Sequence, residues 1–160
     1  MPDAVTEAHE EKETLKVEVF IPEHAARGGA TPLFNHSRDA LIARDGGRCW
    51  VCQRNAEEAG PLEAHHYPVE RCLAEAVDWS VGSLIRRDFP LFDWAAFDRA
   101  NDIYFFVDDM RVNGKLLCKD HHTHGDTGIH TLPHPLWVAQ RYAKEGYQFT
   151  PDEKIHHDQV

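Results

Sequence analysis

Val112-Asn113-Gly114-Lys115-Leu116-Leu117-Cys118-Lys119-Asp120-His121-His122 is the stretch on which the reading of this chain turns. A short extended piece over 111–118 runs into Cys118, and His121 follows after two residues, a spacing at which a thiolate and an imidazole reach one metal ion. Upstream, Cys49-Trp50-Val51-Cys52 has the same two-residue gap. The two knuckles together offer three sulfurs and one nitrogen, a tetrahedral set that soft thiolates make selective for Zn²⁺ over Mg²⁺ or Ca²⁺. Sixty-five residues separate Cys52 from Cys118, so the ion is expected to clip a long loop shut, a structural role.

Between the knuckles lies Leu62-Glu63-Ala64-His65-His66-Tyr67-Pro68, expected to be extended over 61–67. Adjacent residues of an extended segment point to opposite sides, so one histidine can bind metal while its neighbour faces a substrate. Residues 68–110 contain Trp79, Phe89, Phe92, Trp94, Phe97, Tyr104, Phe105 and Phe106, and this density of aromatics predicts an inserted helical subregion with its own packing. Gly28-Gly29 and Pro32 read as a loop, Ser37 as the N-cap of a short helix through Asp45, and Gly46-Gly47 as its stop. A C-terminal helix is expected from Pro135 to about Glu145, with Gly146 beyond it and Trp137, Val138 and Tyr142 packing inward. Alternating apolar residues over Leu15–Ile21 predict a short strand ended by Pro22. The fold class is therefore α+β in one domain over 15–150, with a disordered polar arm at 1–14 and an acidic tail at 151–160.

The chain carries a formal net charge of −10, which weighs against tight non-specific binding to nucleic acid, an affinity that comes from Lys and Arg neutralising phosphates. The charge is uneven. Residues 1–24 hold seven acids and two lysines and residues 151–160 three acids and one lysine, leaving −3 for the body between them. An acidic enzyme delivered to its substrate by a basic partner is compatible with that balance. The first twenty residues lack the layout of a signal peptide and no stretch of about 18 apolar residues occurs, so no membrane association is expected and an intracellular, cytoplasmic location is. In that compartment C-x-x-C reads as metal chemistry, not as disulfides.

The segments RDGGRCWVC (44–52), LEAHHYP (62–68) and NGKLLCKDHH (113–122) occur in the order found in the HNH endonuclease family, which this chain resembles over roughly residues 38–130. The resemblance implies a ββα-metal (His-Me finger) core that hydrolyses DNA phosphodiester bonds with one divalent cation. It implies His66 as general base, His65 and His122 as ligands of the catalytic ion, Asn113 as the residue that positions the base, and Cys49, Cys52, Cys118 and His121 as the zinc ligands. Phosphodiester hydrolysis needs a base to activate water, a cation to stabilise charge on the phosphate, and a partner that holds the base in one tautomer, which a backbone or amide group can supply. The cation itself stays open among Mg²⁺, Mn²⁺, Ni²⁺ and Zn²⁺, although imidazole ligands lean toward the transition metals. The chain also resembles HNH proteins encoded by bacteriophages and prophages, including its GIH (128–130) and PHPLWVAQRYAKEGY (133–147) segments, which implies a bacterial host cell.

This chain departs from the family pattern in two places. Forty-six residues separate His66 from Asn113, so the aromatic insertion must loop out without parting the two strands, and it is expected to supply specificity or a partner surface. After His122, Gly125 and Gly128 predict a short or broken helix, so a third protein ligand is either Asp126 or His130 reached through the glycine turn. His130 is favoured because imidazole suits a site already holding two histidines. Arg86, Arg87, Arg99 and Arg111, with Asp88, Asp98 and Asp109 beside them, read as mixed surface charge before they read as phosphate contacts. Two other functional readings stand beside a DNA endonuclease: a non-catalytic zinc module that binds protein or nucleic acid, and a nuclease that acts on RNA or only inside a larger phage complex.

Overall fold

The computed structural model describes residues 29–125, 127–131 and 138–146. The expected arm, the strand at 15–21, the acidic tail and the ligand candidate Asp126 lie outside them. The described chain is α+β. Two short strands, β1 (Glu63–His66) and β2 (Gly114–Leu117), pair antiparallel, with His65 opposite Lys115 and His66 opposite Gly114. Around them stand α1 (Pro32–Arg44), α2 (Ala56–Ala59), α3 (Leu84–Asp88), α4 (Trp94–Ala100), α5 (Tyr104–Val107), α6 (Lys119–His122) and 3₁₀ turns at Arg71–Ala76 and Ile129–Thr131.

Helix α1 begins five residues before the predicted cap. Thr31 caps it, its hydroxyl accepting the Phe34 N–H at 3.1 Å, and Pro32 opens the first turn, where its fixed φ is already helical and its missing N–H costs nothing. Pro32 was expected in a loop, and Ser37 instead lies buried in mid-helix. There its hydroxyl accepts the Met110 N–H at 2.9 Å and sits 2.7 Å from the Leu33 carbonyl, tying the helix to the far end of the insertion. Gly46 and Gly47, at φ 63° and 64°, stop the helix as expected.

The segment 71–107 is helical and aromatic-rich. Val69, Val77, Ile85, Phe97, Phe106 and Val107 form its buried core, with Trp79 tilted against Phe106, Phe92 edge-to-face with that ring and Trp94 stacked on it. Each fully buried side chain of this size contributes roughly 1.5–3 kcal/mol to holding the insertion together. The end of the described chain closes it. Pro135 and Trp137 of the expected C-terminal helix lie outside the described residues, and residues 138–140 are helical. The helix stops at Gln140, short of Glu145, because Ala143 pairs with Val77 in an isolated bridge while Tyr142 is buried in this core. A second small cluster, Leu41, Met110 and Leu116, fixes α1 against β2. Among the described residues no helix is long and apolar enough to cross a membrane.

Candidate functional site

The two knuckles meet. The ligand atoms of Cys49, Cys52, Cys118 and His121 lie within 4.8 Å of one another, with Cys52 Sγ 3.9 Å from Cys118 Sγ and His121 Nδ1 3.2 Å from Cys118 Sγ and 3.7 Å from Cys49 Sγ. A cation with metal–sulfur distances of about 2.3 Å fits separations of this size, and this donor set is compatible with structural zinc. The first knuckle is shaped by local bonds: Cys49 N–H to the Arg54 carbonyl and Gln53 N–H to the Cys49 carbonyl, both 2.9 Å, with Gln53 at φ 61°. Arg54 Nε donates to Cys52 Sγ at 3.3 Å, and this bond first of all pulls the Cys52 thiol down to about 6, toward the thiolate that binds metal. Burial pushes Cys118 the other way.

A second cluster lies one residue beyond the first on α6. The ligand atoms of His65, His122 and His130 also fall within 4.8 Å of one another and could hold a metal ion. Their rings stand around a common centre at centroid separations of 5.3, 4.7 and 4.8 Å. His65 is 3% exposed on β1, and His122 ends α6. His130 comes back through the glycine turn, where Gly128 donates its N–H to the His124 carbonyl at 2.9 Å. A Cβ at Gly128 would lie 2.6 Å from that carbonyl and 2.7 Å from the His122 carbonyl, so only glycine permits the return. Helix α6 is accordingly one turn long, as its glycines predict.

His66 and the three histidines line one cavity of about 460 Å³, with Thr31, Phe34, Glu70, Arg71, Asp108 and Thr123 on its walls. His66 stacks on Phe34 at 5.4 Å, and its Nε2 lies 3.0 Å from Asp108 Oδ1. Glu63 Oε2 meets His122 Nδ1 at 2.6 Å, and Glu70 Oε1 lies 3.6 Å from His65 Nε2. Arg71 spans from the Tyr104 ring, 4.8 Å below its guanidinium, to Asp108 at 3.4 Å.

Asn113, the expected positioner of the base, bonds main-chain groups through its side chain and makes no bond to the His66 ring. Its side-chain oxygen accepts the Val69 N–H at 2.9 Å, and its amide donates to the Val69 and Val107 carbonyls at 2.8 and 2.7 Å. Its own carbonyl takes the Tyr67 N–H at 3.2 Å. At 0% exposure, with both amide hydrogens committed, Asn113 clamps the segment following His66 to the end of the insertion, while the imidazole faces Asp108.

Glu63, Glu70, Arg71 and Asp108 are absent from the sequence expectations. Glu63 had a readable signal, since two residues before His65 on a strand is the same face. Glu70, Arg71 and Asp108 come from the insertion, which thus builds part of the cavity wall. Of the arginines read as surface charge, Arg111 is exposed and bonds Asp109 at 2.8 Å. Arg86 departs from that reading: its side chain is 12% exposed, lies over the Trp94 and Phe97 rings and bonds Asp98 at 3.0 Å. Comparison of the chain with family models, curated proteins and solved structures finds no match.

Proposed function

We propose that this chain is a metal-dependent endonuclease that hydrolyses DNA phosphodiester bonds on a ββα-metal core stapled by zinc. The observation that carries the reading is the convergence of His65, His122 and His130 beside His66 in one cavity. A purely structural zinc module needs no second imidazole cluster opening on a cavity, nor a carboxylate that orients one of its rings. A divalent cation held by the three histidines would stabilise the negative charge that develops on the phosphate and its leaving oxygen. His66 takes the proton from the attacking water. Among the described residues Arg71 is the one Lys or Arg on the cavity wall, and its guanidinium suits a phosphate oxygen. Asn113 ties the segment that follows His66 to the end of the insertion through Val69 and Val107. Cys49, Cys52, Cys118 and His121 hold zinc, and the zinc holds α6.

The test is plasmid cleavage with added Mg²⁺, Mn²⁺ or Ni²⁺, comparing wild type with His66→Ala after zinc content and fold have been checked. Metal-dependent nicking that disappears in the variant is expected, by about 10²–10⁴-fold for a lost general base. Failure of a folded, zinc-loaded wild type to cut under every cation overturns the proposal and turns attention to a binding module or a nuclease that works only with a partner.

A further inference from the structure

Asp108 lies 42 residues from His66 in the chain and is 1% exposed, yet its Oδ1 is 3.0 Å from His66 Nε2. It is gripped on every side. The Thr31 hydroxyl donates to Oδ2 at 2.9 Å, Arg71 Nη2 stands 3.4 Å from the same oxygen, and the Ser37 hydroxyl lies 3.1 Å from the Asp108 carbonyl. Burial, the largest influence, pushes the carboxyl up, but the bonds from His66 and Thr31 and the charge of Arg71 outweigh it and hold it below the usual range. An ionised carboxylate only accepts hydrogen bonds, so the hydrogen between the two residues belongs to His66 Nε2. In the neutral ring the lone pair is then on Nδ1.

We propose that Asp108 is the positioning residue of this site: it fixes His66 in the Nε2–H tautomer and makes Nδ1 the nitrogen that receives the proton of the attacking water. The inference rests on the reading of His66 as the base. In the step, a water O–H bond breaks and its proton passes to Nδ1, while the oxygen's electron pair forms the new P–O bond. The P–O bond to the leaving oxygen breaks, and that oxygen takes a proton from solvent. The imidazolium left behind is paired with the Asp108 carboxylate, which also prevents the ring from turning over. The base is thus held by a charged residue delivered from the insertion, in place of the backbone or amide partner expected between the strands. This gives the insertion a catalytic purpose: it returns the chain to β2 by way of Asp108.

Nitrogen-15 imidazole spectra of the full, zinc-loaded chain in neutral buffer read the tautomer directly. His66 is expected to show Nε2 protonated and Nδ1 bare. An Nδ1–H tautomer, or a ring protonated on both nitrogens, overturns the assignment. Asp108→Ala is expected to lower kcat about 10²–10⁴-fold with KM little changed and to scramble the His66 tautomer. In Asp108→Asn the amide oxygen is claimed by the Thr31 hydroxyl and Arg71, which turns the NH₂ toward Nε2. This variant is expected to flip the ring to the Nδ1–H tautomer and to lose kcat as well. Wild-type kcat in both folded variants sinks the positioning role, and if the alanine variant does not fold, the asparagine variant and the wild-type spectrum decide. A wild type that shows the Nε2–H tautomer but cuts no DNA leaves the hydrogen-bond assignment standing while the catalytic role falls together with the nuclease reading.

Discussion

The carboxylate of Glu63 meets Nδ1 of His122 at 2.6 Å, while Nε2 of the same ring lies 3.1 Å from Nε2 of His130. In the proposed site one nitrogen is the handle and the other the atom offered to the cation. A carboxylate that accepts from Nδ1–H leaves the Nε2 lone pair facing the cluster, and partners of this kind govern metal affinity about 10–100-fold. Glu63→Gln is therefore expected to weaken binding of Mn²⁺ or Ni²⁺ to the zinc-loaded protein by that factor in calorimetric titration, with zinc content unchanged. Equal affinity in wild type and variant would show that His122 is oriented by packing alone.

Gly128 makes the return of His130 possible, and that return can be broken without touching a ligand. Gly128→Ala would drive a Cβ to 2.6 Å from the backbone of His124, so the turn must move and His130 with it. Overpacking of this kind costs about 1–3 kcal/mol. The expected result is a loss of divalent-cation affinity comparable to that of His130→Ala, whereas Gly125→Ala, whose Cβ meets nothing within 4 Å, serves as a silent control. A Gly128→Ala protein that binds the cation normally would remove His130 from the ligand set.

How far the sequence could be read follows from the range of the interactions. The Cys49–Cys52 and Cys118–His121 knuckles are legible because ligand spacing within a knuckle is local. The short α6 is legible because Gly125 and Gly128 act on their own neighbourhood. The start of α1 is less so, since a proline ends one segment or opens the next, and what decides for Pro32 is the Thr31 cap together with the anchorage of Ser37 to Met110. Asp108 and Arg71 are not legible at all. Their positions beside His66 depend on how the aromatic core around Phe106 folds back toward β2, and no periodicity encodes that path. Asn113 falls between: its burial is foreseeable, but its bonds to Val69 and Val107 exist only once the insertion has closed.

Closure of the insertion leaves a signature in alkaline solution. Tyr142 is 7% exposed and donates to Asp88 Oδ2 at 2.9 Å. Burial first, and then the adjacent Asp88 carboxylate, push its phenol up to about 12. Asp88 itself is held below the usual carboxylate range, chiefly by its bond from Arg141, so it stays an ionised acceptor. A folded pKa above the unfolded value of about 10 favours the neutral phenol in the fold. The stabilisation is therefore complete below about pH 10 and is lost as pH rises through 12. Denaturant unfolding at roughly pH 9 and 11 is expected to show a larger loss for wild type than for Tyr142→Phe. Parallel losses would mean that the phenol is not buried against Asp88.

The two candidate metal clusters share α6. Cys118 starts α6, His121 belongs to the first cluster and His122 to the second, so whatever holds Cys118 and His121 also sets where His122 stands. Structural zinc contributes about 10 kcal/mol or more in small zinc-folded peptides. If only a third of that acts here, at about 2–4 °C per kcal/mol for a chain of this size, removing the ion lowers Tm by about 10 °C. Cys118→Ser, or treatment with a strong chelator, is expected to produce that shift in calorimetry and to abolish cation binding at the second cluster as α6 loosens. His130→Ala should instead remove cation binding while moving Tm by no more than about 2–4 °C, because His130 is partly exposed and holds no core together. A Cys118→Ser protein with wild-type Tm would deny the first cluster its structural role, and the support it lends to His122 would then have to come from the Glu63 contact and the packing of Leu117.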